Sequence, residues 1–243
     1  MSGPLPHHHL PLTAYALPRY TFSMTSGILF DFNGVIVDDE SQHCDALIAT
    51  LSEYGYTLDR DAYYRDYLGF DDRECFRFTF ERMNRPVDEL ALREAIAQKH
   101  AEYERSIRAS MRLVPGVADF IENAALDGFQ LAIVSGALRS EIDLVLQLSG
   151  LGAHFAEIIA AEDVGACKPD PQGFIRAREQ LDLPAKRCVV VEDSIPGLTA
   201  ARAAGLRCAM LATSHPEDAF DGADLVWRDF VGHDPAELPW AHV

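Results

Sequence analysis

Three short apolar segments, each followed at once by a polar side chain, constrain the fold of this chain most. They cover residues 28–30, 131–134 and 188–191. Short apolar runs closed by turn-forming residues are typical of buried strands in a parallel sheet. Since ligands collect at the carboxyl ends of such strands, the side chains that follow should meet at one edge of the sheet. These side chains are Asp31, Ser135, Glu192 and Asp193.

Strands and helices alternate along most of the chain. After residue 111, weaker strand patterns at residues 157–160, 207–211 and 223–226 join the two strong ones. Helical patterns separate them, and alternation of this kind predicts an α/β fold with a doubly wound parallel sheet. The predicted helices cover residues 116–127, 140–148, 195–204 and a segment that opens at Pro169 and Pro171 and runs to residue 181.

The segment between the first strand and the rest of the sheet has a different pattern. Residues 39–110 contain no strand-like run and show apolar residues at helical spacing. Asp59 is expected to cap one helix, an Asp in the loop after Gly69 another, and Pro86 to start a long helix that ends near residue 109. We therefore predict an inserted α-helical cap domain. The full division is an N-terminal extension at 1–23, an α/β core at 24–38 and 111–243, and the cap at 39–110.

Charge narrows the choice of partner. The chain has 38 Asp and Glu against 21 Lys and Arg, for a net charge of −17. Such a chain repels nucleic acid and anionic membranes, and it also repels a phosphorylated substrate unless a local cation or metal reverses the field. No apolar run approaches the roughly 18–20 residues of a membrane span. We expect neither nucleic-acid nor membrane partners. We also expect the protein to be a monomer.

The cysteines indicate the compartment. There are five, an odd number, and none are in a CxxC spacing. This usage is typical of reduced thiols, so a cytoplasmic location is expected.

The polar groups at the strand ends suggest a chemistry. Asp31, Glu192 and Asp193 would repel one another without a cation, and hard oxygen ligands favour Mg²⁺. Ser135 and the backbone N–H groups after it can hold phosphate oxygens, and Lys168 adds a positive charge. A carboxylate can attack phosphorus to give an aspartyl-phosphate. Taken singly, Ser135 fits a turn, Lys168 a surface position and Glu192-Asp193 a helix cap; their joint occurrence favours a functional site.

In this arrangement the chain resembles the haloacid dehalogenase superfamily of phosphotransferases. Asp31-Phe32-Asn33-Gly34-Val35 is similar to its first motif, Ser135-Gly136 to its second and Lys168-Pro169 to its third. Glu192-Asp193-Ser194, with Gly197 and Ala200-Ala201, is similar to its fourth. The resemblance implies Asp31 as nucleophile, with Ser135 and Lys168 as further catalytic residues and Gly136 and Ala137 as substrate-binding ones. It also implies Mg²⁺ held by Asp31, the backbone carbonyl of Asn33, Glu192 and Asp193.

Within the superfamily the chain is most similar to beta-phosphoglucomutase and its phosphatase relatives. The features that carry this resemblance are His43 five residues after Asp38, a cap loop that ends in Arg73, and Lys99 followed by Tyr103. The resemblance implies that Arg73 and Lys99 bind a distal phosphate or another anionic end of the substrate. It places His43 at the hinge between cap and core. An Arg or Lys on a solvated helix face is the competing interpretation.

Asn33 departs from the family pattern, which has Asp two residues after the nucleophile. Asn can form hydrogen bonds but has no proton to exchange at neutral pH, and general acid–base catalysis contributes about 10²–10⁴-fold. Three explanations stay open: a natural, slower enzyme with His43 or Asp39 as substitute base, an engineered Asp-to-Asn change, or substrates with good leaving groups. Asn33→Asp is predicted to raise turnover of an alkyl phosphate at least about tenfold. The Asn33-Gly34 pair is also prone to deamidation, which would restore an Asp.

The sequence therefore predicts a magnesium-dependent phosphatase that hydrolyses small phosphorylated metabolites, possibly sugar phosphates, through an aspartyl-phosphate. One alternative is a phosphosugar mutase similar to beta-phosphoglucomutase. Another is a non-catalytic phosphate-binding protein on the same scaffold. The loss of the acid/base residue disfavours the mutase more than the hydrolase, because a mutase must protonate one sugar oxygen and deprotonate another in each cycle.

Overall fold

A six-stranded parallel sheet organises the part of the chain that the computed structural model describes, residues 25–67, 70–85 and 87–240. The strand order is β3-β2-β1-β4-β5-β6, so the chain winds outward from β1 in both directions. This is the predicted doubly wound α/β fold. The strands are β1 (Gly27–Phe30), β2 (Gln130–Val134), β3 (Phe155–Ile159), β4 (Cys188–Glu192), β5 (Arg207–Leu211) and β6 (Leu225–Trp227).

Eight α-helices accompany the strands in these described residues. The first four lie in the segment between Asp38 and Arg112, and the other four alternate with the strands of the sheet. The first group is α1 (Glu40–Glu53), α2 (Arg60–Asp66), α3 (Asp72–Arg82) and α4 (Glu89–Ser110). The second group is α5 (Val117–Leu126), α6 (Arg139–Ser149), α7 (Gln172–Gln180) and α8 (Ile195–Ala203).

Side chains alternate across the sheet and fill two separate cores. In β1, Ile28 and Phe30 belong to the core on one face, with Phe120 of α5 and Ile142 of α6. Leu29 belongs to the core on the opposite face, which α7 and α8 cover with residues such as Phe174 and Leu198. Because both faces of the central strands are buried, these strands are apolar throughout, which explains the continuous apolar runs in the sequence.

The first four helices, α1 to α4, share an apolar cluster of their own, which includes Leu47, Phe76 and Leu92. Tyr103 and Ile107 of α4 instead pack into the core of the sheet. The predicted helical insertion is therefore present. Its assignment as a cap domain bounded at residues 39 and 110 stays a prediction.

The two chain segments that lead into and out of this insertion are paired. Val37 and Leu113 form an antiparallel bridge. The Asp38 N–H donates to the Arg112 carbonyl at 2.9 Å, and the side chains of the same two residues form an ion pair at 3.5 Å. The insertion thus begins and ends at neighbouring points of the structure.

Some predicted boundaries were wrong. Helix α4 begins at Glu89 rather than Pro86, because the Asp88 side chain accepts hydrogen bonds from the N–H groups of Leu90 (3.0 Å) and Ala91 (2.8 Å). Pro86 itself, like Gly69 and the predicted extension 1–23, lies outside the described residues.

Helix α7 begins at Gln172, after both prolines, rather than at Pro169. Strand β3 begins two residues before the predicted start, and β6 begins two residues after it. Both are edge strands. Because an edge strand has only one neighbouring strand, fewer of its side chains are buried and its apolar pattern is less complete. None of the helices in the described ranges combines the length and apolarity that crossing a bilayer requires.

Candidate active site

The polar residues that follow β1, β2 and β4 meet at the carboxyl edge of the sheet. These strands are neighbours, so their ends lie side by side. Asp31 and Ser135 extend the sheet by one residue each, since the Asp31 N–H donates to the Val191 carbonyl and the Ser135 N–H to the Ile159 carbonyl, both at 2.9 Å. The predicted convergence of the polar strand ends is thus observed.

Lys168 joins the carboxylates at this edge. It lies between β3 and α7, and its ammonium group donates to Glu192 Oε1 at 2.6 Å and to Asp31 Oδ1. The same nitrogen lies 5.2 Å from the centre of the Phe174 ring. The positive charge of Lys168 thereby joins Asp31, which is 137 positions away in the chain, to Glu192, which is 24 positions away.

Glu192 is completely buried, and its second oxygen organises the start of α8. Oε2 accepts hydrogen bonds from the N–H groups of Asp193 and Ser194, both at 2.8 Å, and from the Ser194 hydroxyl at 2.9 Å. Gly197 makes room for the Glu192 carboxylate, since a Cβ at position 197 would lie 1.8 Å from Glu192 Oε1. The glycine in the fourth motif is therefore required by close packing.

Asp193 is held by two residues that the sequence-based prediction missed. Ser214 and Thr213, which follow β5, donate hydrogen bonds to Asp193 Oδ2, the latter at 3.3 Å. Thr213 also donates to the Gly34 carbonyl at 2.7 Å, so it ties the first motif to the fourth. The signal was present in the sequence: a polar pair directly after an apolar strand, as at the other strand ends.

Burial and mutual repulsion shift the titration of this cluster. Burial raises the pKa of Asp31 to about 7; Lys168 acts against this shift and Glu192 reinforces it. Burial also raises the pKa of Asp193 well above its usual range, with the charges of Glu192 and Asp31 adding to the effect. Burial lowers the pKa of Lys168, but the adjacent Asp31 and Glu192 outweigh burial and raise it. Burial and repulsion thus favour the protonated acids, because full ionisation would leave an excess of buried negative charge beside one lysine.

These carboxylates form a group that could hold a metal ion. One oxygen from each of Asp31, Glu192 and Asp193 lies within 4.8 Å of the others, and all three residues are buried. The donors are hard oxygens, which suit a divalent cation such as Mg²⁺, and a cation would offset the excess negative charge. The donor set therefore fits the predicted metal, with the backbone carbonyl of Asn33 as a further predicted ligand.

The loop after β2 offers groups for an anion. Ser135 is buried, and its hydroxyl oxygen accepts a hydrogen bond from the Ala137 N–H at 3.0 Å, which leaves the hydroxyl proton free to donate elsewhere. Gly136 is exposed, and a Cβ placed on it would meet no atom within 4 Å. The loop leads directly into α6, whose N-terminal end favours negative charge.

The side chain of Asn33 contacts residues at the start of α1. Its amide nitrogen donates to Asp39 Oδ2 at 2.9 Å and lies 3.2 Å from His43 Nε2. Asp39 is fully buried and also accepts a hydrogen bond from the Tyr103 hydroxyl at 2.5 Å. Asp39 is thus an acceptor for groups from the first motif, α1 and α4.

His43 and Lys99 belong to the same buried network. The Lys99 ammonium group donates to His43 Nδ1 at 2.8 Å and to Asp72, and the His43 ring stacks on Tyr103 with centroids 4.3 Å apart. Because Nδ1 accepts from Lys99, the ring proton of neutral His43 lies on Nε2, 3.4 Å from Asp39. Lys99 is only 4% exposed, so both of its partners are internal to the protein here.

The ion pair of Arg73 lies within the helical insertion. Its side chain is 46% exposed and forms an ion pair with Glu89 at 2.7 Å. Glu89 also binds Arg77, so both arginines are joined to one carboxylate on the surface of the insertion. The structure therefore brings together Asp31, Ser135, Lys168, Glu192 and Asp193 at the sheet edge. It places Asn33, His43 and Lys99 in an adjoining network and leaves Arg73 outside both.

A lysine beside three carboxylates at the ends of parallel strands suits transfer of a phosphoryl group to an aspartate. Residues 28–211 match the model of the haloacid dehalogenase-like hydrolase family. The chain belongs to this family. The predicted superfamily and enzyme class, a phosphoric monoester hydrolase, are thereby confirmed.

Individual relatives agree with this assignment. Protein CbbY of Rhodobacter capsulatus is 32% identical over 217 residues, 83% of this chain and 91% of that protein. Validoxylamine A 7'-phosphate phosphatase of Streptomyces hygroscopicus subsp. limoneus is 25% identical over 216 residues, 88% of this chain and 96% of that protein.

A solved structure is also similar over nearly its whole length. It is that of an Asp-to-Asn variant of CbbY from Rhodobacter sphaeroides in complex with xylulose-(1,5)bisphosphate. It has a TM-score of 0.81 and 27% identity, and the match covers 88% of this chain and 99% of that one. Solved structures named as beta-phosphoglucomutases share the fold as well.

Proposed function

We propose that this chain is a magnesium-dependent phosphatase that hydrolyses small phosphorylated sugars or sugar-like metabolites through an aspartyl-phosphate on Asp31. The observation that carries the proposal is the position of Lys168 between Asp31 and Glu192, beside Asp193, at the edge of the sheet. One lysine and three carboxylates on neighbouring strand ends suit transfer of a phosphoryl group, because catalysis of this reaction depends on positioning and on neutralising charge.

Each side chain has a role in the proposed reaction. A carboxylate oxygen of Asp31 attacks phosphorus, so that an O–P bond forms while the bond from phosphorus to the substrate alkoxide breaks. Water then attacks the phosphorus and releases phosphate, which restores Asp31. Ser135 and the Gly136 N–H hold the phosphoryl oxygens, and Lys168 neutralises their charge. The Ala137 N–H would have to release the Ser135 hydroxyl oxygen to join them. When bound by Asp31, Glu192, Asp193 and the Asn33 carbonyl, Mg²⁺ would supply further positive charge.

Asn33 is expected to slow hydrolysis of substrates whose leaving group needs a proton. Its amide donates to Asp39 and cannot supply a proton to a leaving alkoxide. Leaving groups that depart without protonation should therefore react faster than alkyl ones. His43 and Asp39 stay candidates for a substitute base, since both contact the Asn33 amide.

Two relatives support the substrate class. One is named for hydrolysis of the phosphate of validoxylamine A, and a CbbY variant was solved with a sugar bisphosphate bound. A bisphosphate would need a second anion site away from Asp31. Arg73 and Arg77 would have to release Glu89 to provide it, and Lys99 would have to release Asp72.

A phosphate-release screen tests the proposal. The panel should contain sugar monophosphates, sugar bisphosphates and an aryl phosphate, each with Mg²⁺ and with excess EDTA. We expect release that requires Mg²⁺, is faster for the aryl ester and disappears in Asp31→Asn. Asp119→Asn, an exposed acid on α5, is the matched control and should keep full activity.

The same screen separates the alternatives. No release from any ester by the wild-type chain would favour a non-catalytic phosphate-binding protein. Interconversion of two sugar phosphates without net release of phosphate would favour a mutase. Activity that persists in Asp31→Asn would contradict the aspartyl-phosphate.

A further inference from the structure

A buried carboxylate beside the phosphate loop has no part in the chemistry proposed above. Glu141 is 2% exposed and lies in the first turn of α6, which begins directly after residues 135–138. Its Oε2 accepts a hydrogen bond from the Leu138 N–H at 3.3 Å. Glu141 is therefore attached to the end of the loop that is expected to hold the phosphoryl group.

The other oxygen of Glu141 is bound from the insertion. His100 of α4 donates its Nδ1–H to Glu141 Oε1 at 3.1 Å, and His100 Nε2 lies 3.3 Å from the Ser140 hydroxyl. This hydrogen bond raises the pKa of His100, while burial acts in the opposite direction. Burial raises the pKa of Glu141, but the bond to His100 and the charges of His43 and Lys99 outweigh burial and lower it to about 2. Glu141 is thus an ionised carboxylate whose positive partners all lie on α1 and α4.

The position of this charge has a consequence for phosphate binding. The N-terminal end of a helix favours an anion, and a carboxylate in the first turn competes with that anion for the same field. Inside a protein, repulsion between two such charges is stronger than in water. His100 and Lys99 offset the charge of Glu141 only when α4 is packed against α6. Phosphate affinity in the loop should therefore depend on the docking of α4.

We propose that Glu141 is a positioning residue that couples the docking of helix α4, through His100, to phosphate binding by residues 135–138. The proposal rests on the proposed phosphatase function, because that function places the phosphoryl group in this loop. In this proposal the insertion strengthens phosphate binding at the core through Glu141. This role does not require the insertion to contact the substrate itself.

The test measures binding of inorganic phosphate to the full chain in the presence of Mg²⁺, by calorimetry, together with steady-state kinetics. His100→Ala should weaken phosphate binding about fivefold, at the lower end of typical coupling between two sites, and raise KM by a similar factor while kcat changes less than about twofold. Glu141→Gln combined with His100→Ala should restore phosphate binding to within about twofold of wild type, because the uncompensated charge is gone and the amide oxygen still accepts from Leu138.

His233→Ala is the matched control, since His233 and Glu237 form a similar pair at 3.0 Å that involves neither α4, α6 nor the loop. Unchanged phosphate affinity in His100→Ala, or no rescue by Glu141→Gln, would overturn the proposal. If His100→Ala does not fold, His100→Gln replaces it, with the same two outcomes. Calorimetry needs no turnover, so a chain that hydrolyses no ester would refute the phosphatase and still decide the role of Glu141.

Discussion

The side-chain nitrogen of Asn33 lies 2.9 Å from one carboxylate oxygen of Asp39 and 3.2 Å from the other. The two residues form a matched donor and acceptor, with Asp39 fully buried. A carboxylate at position 33 would instead face a second carboxylate at hydrogen-bond distance, and two acids so close cannot both ionise freely. The geometry thus modifies the simple prediction that Asn33→Asp alone restores a missing acid/base.

The first prediction concerns this pair. Asn33→Asp together with Asp39→Asn keeps one amide and one acid in contact and should raise kcat for an alkyl phosphate at least about tenfold. Asn33→Asp alone should gain less, because its carboxyl shares a proton with Asp39. Steady-state kinetics on one alkyl and one aryl phosphate checks both variants. A single variant as active as the double one would show that Asp39 does not limit residue 33.

Deamidation of Asn33 should be slow in the folded protein. The reaction requires the Gly34 nitrogen to attack the Asn33 side chain, but the Gly34 N–H donates to the Val37 carbonyl at 2.8 Å and Asp39 holds the amide. We expect the Asn33 peptide to gain one mass unit during storage in urea and not during storage in native buffer. Equal rates in both conditions, measured by peptide mass spectrometry, would contradict this protection.

Gly197→Ala should damage the site through packing alone. The added Cβ would lie 1.8 Å from Glu192 Oε1, in a region with no free space, and overpacking of this kind destabilises a protein by about 1–3 kcal/mol. Displacement of Glu192 should also reduce phosphatase activity, since Glu192 binds Lys168. Chemical denaturation and activity assays test the variant against Gly152→Ala, where the nearest atom is Leu146 Cβ at 3.6 Å. Equal stability of the two variants would refute the packing argument.

Mg²⁺ should stabilise the folded chain through the carboxylate cluster. At ten times its Kd, a ligand adds about 1.4 kcal/mol, which corresponds to a rise in Tm of about 3–6 °C for a chain of this size. The rise should be reversed by EDTA and be absent in Asp193→Asn, because Asp193 is one of the three buried acids. A thermal shift that persists in Asp193→Asn would place the ion elsewhere.

The contact between His100 and Glu141 should make stability depend on pH. The pKa of His100 is raised above its ordinary 6.5, so this contribution is complete below pH 6.5 and is lost as pH rises through the folded-state pKa. Glu141 has a lowered pKa, so its contribution is complete above 4.5 and is lost as pH falls toward 2. The loss of Tm in His100→Ala should therefore be larger at pH 5.5 than at pH 8.5. The trend should shrink in a Glu141→Gln background, where Glu104 and Asp72 are left to raise the pKa of His100; a larger loss at pH 8.5 would contradict it.

The central strands and their terminal side chains were predictable because the signal is local. An apolar run followed by an acid identifies Asp31 and Glu192 without knowledge of any distant residue, and parallel strand ends converge by topology. The same rule applied to Leu211 would have found Thr213 and Ser214. The start of α4 was missed because Asp88 provides a stronger local signal, a side-chain cap, than the preceding proline.

The network around Asn33 could not be predicted in this way. Asp39 and Tyr103 are 64 positions apart, and His100 and Glu141 are 41 apart. In sequence, His100 and Glu141 each fit an ordinary helix surface, because only the packing of α4 on α6 removes them from water. Buried charges are stable only with partners, and partners supplied by another element leave no periodic pattern in the sequence.

The bridge between Val37 and Leu113 joins the entry and exit of the helical insertion at one place. An inserted segment whose two ends are adjacent can change in length or sequence without altering the spacing of the strands on either side. The core would keep its proposed chemistry during such an exchange, while the insertion was replaced as a unit. In this architecture a new specificity can evolve, or be engineered by splicing at Asp38 and Arg112, without rebuilding the catalytic edge of the sheet.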